Sequence, residues 1–180
     1  VAAVAARAGV GIGTLYRRYP TKERLLQRLS VLALASYLQG AEEGLGLDDP
    51  WEGLAHFVTQ AVLAETGALG PVAGTIEVTD EMTRLGERGD EAARRVIERA
   101  HAAGVLRSEV GEVDIALLIE QLGRAPVVDQ LARQGHDDLL PAARAARGRL
   151  IRIALDGLRA PGPEPLPGAA PTWELFTRRW

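Results

Sequence analysis

The stretch that decides the fold is VAAVAARAGVGIGTLYRRYPTKERLL, residues 1–26. Its alanine-rich opening predicts a short helix over 1–8, stopped by Gly9. Gly9-Val10-Gly11-Ile12 reads as a four-residue turn. A second short helix runs from about Gly13 to Tyr19 and stops at Pro20. Thr21 then caps a long helix from Lys22 to about Gly44; Arg24 stands at the third position, so the cap is present without a full capping box. Two short helices that cross steeply need a small residue at the contact, a turn residue free to take positive φ, and a few apolar contacts. Ala5, Gly9, and the set Val4, Ala8, Val10 and Leu15 supply them.

The second short helix exposes Thr14, Arg17 and Arg18, with Tyr16 and Tyr19 amphipathic. Such a helix can enter a DNA major groove: arginine bonds guanine bidentately and hydroxyls hold phosphates. Lys22 stands at the next helix start, where backbone N–H groups also favour phosphate. The charge distribution agrees. Residues 1–29 carry six basic groups and one acidic, +5, while the remainder carries 15 basic and 23 acidic, −8, which sums to the net −3 of the chain. A basic head on an acidic body predicts that the head alone meets a polyanion.

Composition sets the outer limits. Apolar residues make up 47% of the 180, enough for a sizeable core. With no cysteine there are no disulfides or thiolate metal sites. No apolar run reaches the ~18 residues of a membrane span, so no membrane partner is expected and a cytoplasmic location is. His56, His101 and His136 lack metal-ligand spacing. There is no nucleophile elbow and no P-loop. Gly9-Val10-Gly11-Ile12-Gly13 follows a helix, whereas a dinucleotide fingerprint must follow a strand. No enzyme activity, metal or cofactor is expected.

Beyond the head, apolar residues recur at three- and four-residue spacing and alternation is nearly absent, which predicts an all-α chain of about nine helices. Asp49 caps a helix with Pro50 at its first position, running to about Thr66. Gly67 to Pro71 is a break. Residues 72–86 are read as helix despite the β-branched run Thr75-Ile76-Glu77-Val78-Thr79. Asp90 is expected to cap a helix over 91–103 that ends at Gly104. Another helix starts at Asp114 and reaches Gln134, with Pro126 kinking or interrupting it. Asp137 or Asp138 starts the last long helix, to about Leu158. Residues 161–171 form a Pro/Gly-rich arm, after which Thr172 caps an amphipathic turn with Trp173, Phe176 and Trp180.

The string over residues 1–26 resembles the DNA-binding signature of the tetracycline-repressor (TetR) family, and ERAHAAGVLRSEVGEVDIALLI (98–119) resembles a stretch of that family's regulatory domain. The resemblance implies a helix-turn-helix DNA-binding domain (1–29), continuous with a helical effector-binding and dimerisation domain (30–160), followed by the arm and short C-terminal segment (161–180). It implies that Thr14, Tyr16, Arg18 and Lys22 contact phosphates and that Ile12, Gly13 and Arg17 lie near base edges. Ile12 departs from the polar residue many relatives carry there. Since Val1 already falls in the family's second helix, the resemblance also implies a preceding helix and arm of roughly 20–40 residues.

Half-sites on DNA one turn apart call for a two-fold homodimer. The resemblance places the interface on the last two long helices, along Ile115, Leu118, Ile119 and Leu122, and along Leu139, Ala143, Ala146, Leu150, Ile153 and Gly157. It places a small-molecule effector pocket between the long helix after the head and the next helices, with Phe57, Gln60, Ala61, Val78, Met82, Leu117 and Gln121 as lining. Gln60 and Gln121 are the specificity candidates, because a buried amide needs a partner. The expected function is a ligand-responsive regulator, a repressor that binds a palindromic operator in double-stranded DNA as a dimer and is released by a small molecule. The rival is a helical ligand-binding or scaffold protein whose basic head is incidental.

Overall fold

A computed structural model describes residues 9–64, 75–162 and 164–177. The elements are α1 (Ile12–Arg18), α2 (Lys22–Gly46), α3 (Pro50–Leu63), α4 (Asp80–Ala102), α5 (Glu112–Gly123), α6 (Pro126–Gln134), a 3-10 turn (Asp137–Leu139), α7 (Leu140–Leu158) and α8 (Glu174–Thr177). The described residues contain no strand, in keeping with the all-α expectation. The expected count of about nine helices is too high. Among the described residues, six helices reach nine residues or more, and α1 and α8 are shorter. The expected helix over 1–8 and the break at Gly67–Pro71 lie outside the described residues.

Helix starts follow local chemistry. The Thr21 hydroxyl accepts the Arg24 N–H at 3.1 Å, and Asp49 Oδ1 accepts the N–H groups of Trp51 and Glu52 at 2.8 and 2.9 Å. Pro126 opens α6 at its first turn, so the expected 114–134 helix is two helices. Asp114 is not the start of α5: the helix begins two residues earlier, and Asp114 Oδ2 accepts the Gly111 N–H at 2.8 Å. Two expectations fail around α4. Thr75–Thr79 is not helical, and Asp90 lies mid-helix instead of at a cap. Thr79 takes the capping role, its hydroxyl accepting the Met82 N–H at 3.3 Å. The helix runs on through Gly86 and Gly89 to Gly104, whose φ of +67° ends it.

The core gathers on α3, a helix with eight of its 14 residues buried, packed by α2, α4, α5 and α7. Trp51, Leu54, Phe57, Val58 and Val62 are buried there against Val96, Ile97 and Ala100 of α4, Ile115 and Ile119 of α5, and Ile151 and Leu155 of α7. Tyr37 meets Phe57 edge-on, with centroids 5.2 Å apart. Burial, with the Asp90 and Glu112 carboxylates adding to it, pushes the Tyr37 phenol above its ordinary range.

The close approach of helices rests on glycine. A Cβ on Gly44 of α2 would stand 2.5 Å from the Gly53 carbonyl oxygen of α3, and one on Gly53 would meet the Gly44 carbonyl at the same distance. Helix α7 is drawn in by Arg147, whose Nη2 donates to the carbonyls of Val62 (2.8 Å) and Gly123 (3.0 Å). These carbonyls lie at the C-terminal ends of α3 and α5, where partial negative charge collects. A second arginine, Arg107, is 6% exposed and ties the arm to the body. It donates to Glu109 (2.7 Å), to the Gly157 carbonyl (3.4 Å) and to the Glu164 carbonyl.

Candidate nucleic-acid interface

The turn before α1 depends on Gly9, which takes φ +64°, a conformation that costs little only without a Cβ. Helix α1 has no buried residue. Ile12, Gly13, Thr14, Tyr16, Arg17 and Arg18 are exposed, while Leu15 and Tyr19 are half-buried. Arg17 Nη2 lies 3.3 Å from the Thr14 hydroxyl and donates to it. The pair places a cation and a hydroxyl on one face, one helical turn apart. After Pro20 the chain enters α2, with exposed Lys22 as its first residue and exposed Arg24 and Arg28 behind it. The seven sequence candidates thus stand together on one exposed helix and the start of the next. Such an arrangement can receive an extended polyanion: arginine forks and a hydroxyl on α1, an ammonium at a helix N-terminus on α2.

The acidic Glu23 in this basic stretch is otherwise engaged. Its Oε1 accepts the backbone N–H of Glu77 at 3.1 Å, and Gln27, one turn on, donates from Nε2 to the Glu77 carbonyl at 3.0 Å. No sequence signal pointed to this contact, because its partners are 50 and 54 residues apart.

The pocket candidates do not converge. Phe57 and Ala61 are fully buried in the core, and Met82 is buried below the start of α4. Val78 is 65% exposed on the segment ahead of α4. Leu117 is half-buried and Gln121 exposed. Gln60 lines an open cleft of about 310 Å3 between α2 and α3, together with Ser36, Gln39, Gly40, Glu43 and Leu63. Two hydrogen bonds, first from His56 (2.8 Å) and then from Gln39 (2.8 Å), hold the Glu43 carboxyl below the usual carboxylate range. A larger cleft of about 580 Å3 lies between the end of α4 and the arm, with His101, Arg107, Ser108 and Glu109 on its wall.

The interface candidates divide between two surroundings. On α7 and the 3-10 turn before it, Leu139, Ala146, Leu150, Ile153 and Gly157 are exposed and Ala143 half-buried, with Leu150 at 56% and Ile153 at 62%. On α5, Ile115 and Ile119 point into the chain's own core, and Leu118 and Leu122 are half-buried. Helical spacing marked the apolar residues of α5, but the helix's rotation about its axis, set by packing on α3, decided which faced inward.

Comparison with known proteins places this arrangement. Residues 1–29 match the family described as bacterial regulatory proteins, tetR family. No functionally curated protein matches the chain. Among solved structures it is similar to the TetR transcriptional regulator SCO0520 from Streptomyces coelicolor, at 26% identity and a TM-score of 0.54, over 87% of this chain and 85% of that one. It shares its fold with the TetR family transcriptional regulator PfmR from Thermus thermophilus, at 24% identity and a TM-score of 0.52, over 90% and 84% of the two chains. The head thus matches the tetR family of bacterial regulatory proteins over residues 1–29, and the chain as a whole is similar in fold to TetR-family transcriptional regulators.

Proposed function

We propose that the protein is a repressor that binds a palindromic operator as a homodimer and releases it when a small molecule enters the body. The observation that carries this reading is α1: it buries none of its residues and offers Thr14, Tyr16, Arg17 and Arg18 to solvent beside Lys22. In this reading Ile12, Gly13 and Arg17 meet base edges, and Thr14, Tyr16, Arg18 and Lys22 hold phosphates. The DNA-binding unit ends near residue 29 and the effector and dimer unit spans 30–160, with α2 continuous across the join.

Dimerisation is supported by α7, whose exposed Leu150 and Ile153 share a face with small residues that permit close helix approach. A partner subunit covers that face and sets two copies of α1 in successive major grooves. The cleft at Gln60 supports an effector site, since it joins amide and carboxylate groups to an apolar rim beside α2. No described helix is long and apolar enough to cross a membrane, and the reading places the protein in the cytoplasm with the DNA.

Mobility-shift titration of the full-length protein against its gene's upstream DNA tests the proposal. Arg17→Ala and Tyr16→Ala are expected to abolish the specific complex while leaving the oligomeric state intact. Leu150→Glu with Ile153→Glu is expected to do the reverse first, giving monomers. Failure of the wild-type protein to form a specific complex would sink the reading.

A further inference from the structure

Helices α2 and α4 lie side by side and parallel. Contacts along α2 advance with those along α4 and the segment ahead of it: Glu23 and Gln27 meet Glu77 of that segment, Tyr37 and Glu42 meet Gly89 and Arg88, and Leu45 meets Arg99. From Glu23 to Leu45 this is roughly 33 Å of helix. The two ends of the pair are held differently.

The C-terminal half of α2 is held by close contacts, most of them at glycines. Gly44 abuts Gly53, and a Cβ on Gly40 would stand 3.0 Å from the Gln60 Cβ. A Cβ on Gly89 would stand 2.9 Å from the Tyr37 ring, and Arg99 donates to the Leu45 carbonyl at 3.0 Å. None of these contacts can slide without opening the core. Among the described residues, the N-terminal end has no such glycine contact. There, one peptide is gripped on both sides: the Glu77 N–H by Glu23 and the Glu77 carbonyl by Gln27. Both side chains rise from the first two turns of α2, directly after the Thr21 cap and within nine residues of Arg18. Leu29 and Leu32, just beyond, are exposed.

We infer that the Glu77 peptide, held by Glu23 and Gln27, is the contact through which the body sets the position of the DNA-reading head. Glu23 and Gln27 are positioning residues, and any tilt of the head pivots between Gln27 and Tyr37 of α2, releasing this clamp. A swing of the whole of α2 would instead have to break the glycine contacts. The inference rests on the DNA-binding reading above, but the clamp is also measurable without DNA.

The test uses the full-length protein, a duplex selected by the wild type from a random-sequence pool, and three variants. Glu23→Ala/Gln27→Ala removes both grips. Glu23→Gln removes the charge but keeps an acceptor oxygen for the Glu77 N–H. Gln27→Glu removes the donor. Amide hydrogen exchange is read on peptides covering 22–35, 37–48, 75–82 and 92–100, and duplex affinity by anisotropy across a salt series. The double variant is expected to exchange faster over 22–35 and 75–82 only, and to bind about tenfold more weakly (about 1.4 kcal/mol). Its salt slope is expected to match the wild type, because no phosphate contact is lost. Glu23→Gln is expected to stay near wild type in both readouts. Unchanged exchange over 22–35 overturns the clamp. Faster exchange with unchanged affinity overturns its role in positioning the head. If the wild type selects no duplex, the DNA-binding reading fails while the exchange result still decides whether the clamp exists.

Discussion

Replacing Gly44 by alanine is expected to destabilise the protein, against the ordinary preference of helices. In a helix interior, alanine is better than glycine by roughly 0.5–1 kcal/mol. Here the added Cβ would stand 2.5 Å from the Gly53 carbonyl oxygen and 3.3 Å from its carbonyl carbon. Ordinary contact needs about 3.5 Å, so α2 and α3 must part by about 1 Å, and a gap of that size forfeits a quarter to a half of the attraction of each contact it opens. The obstacle is backbone, which has no rotamer to change, so the cost falls toward the upper end of the ~1–3 kcal/mol seen for overpacking. The net loss is about 1–2 kcal/mol, roughly five- to thirtyfold in the unfolding equilibrium. Gly53→Ala should behave alike, since the two glycines face each other. Gly86→Ala is the control: it lies within α4, and its Cβ would meet nothing within 4 Å. It should gain up to the ~1 kcal/mol of propensity. Urea unfolding at one fixed protomer concentration measures all three, which matters if the protein associates. A Gly44→Ala midpoint at or above wild type, with unchanged slope, would refute the reasoning.

Other substitutions test the remaining contacts. Arg107→Met should free the arm, since its guanidinium joins Glu109 to the carbonyls of Gly157 and Glu164; limited proteolysis should cut within 159–166 faster, and Arg107→Lys should not rescue, because one ammonium cannot span a planar fork's acceptors. Glu43 is held below its ordinary pKa by His56 and Gln39, so its contribution is present above the unfolded carboxylate range and is lost as pH falls through the lowered folded value. The Tm difference between wild type and Glu43→Gln should therefore shrink in acid, and a constant difference from pH 7 to 3 would contradict the assignment. Asp90 shows the opposite sign: burial, then the nearby Glu112, raise its pKa, with Arg94 opposing. Its charge is a penalty at neutral pH that is relieved as pH falls through the raised folded value, so Asp90→Asn should raise Tm at pH 7 and lose that advantage near pH 4.

Three signals in the sequence were local and therefore readable. Thr21, Asp49-Pro50 and Pro126 mark helix starts because capping and proline geometry act within three residues of their own position. The head was legible for the same reason: Gly9, Pro20 and the exposed Thr14, Tyr16, Arg17, Arg18 and Lys22 fall within fourteen residues of one another. The true start of α4 also left a local trace, the Thr79 cap followed by Asp80 and Glu81, but the β-branched run before it and the cap-like Asp90 after it masked it. A residue suited to capping caps only where the helix stops, and at Asp90 the packing of Gly89 against Tyr37 carries the helix straight past.

What the sequence determined by itself is thus the helical class, the starts of α2 and α3 and the basic head, all products of near-neighbour chemistry and periodicity. What only the tertiary structure decided is which faces of those helices meet. Ile115 and Ile119 turned inward while Leu150 and Ile153 stayed outside, Val78 left the pocket set, and Glu23 joined Gln27 on the Glu77 peptide. The physical reason is that spacing along a helix defines a stripe but not its direction. Direction follows from close contacts such as Gly44 on Gly53, and these form between residues that no local pattern connects.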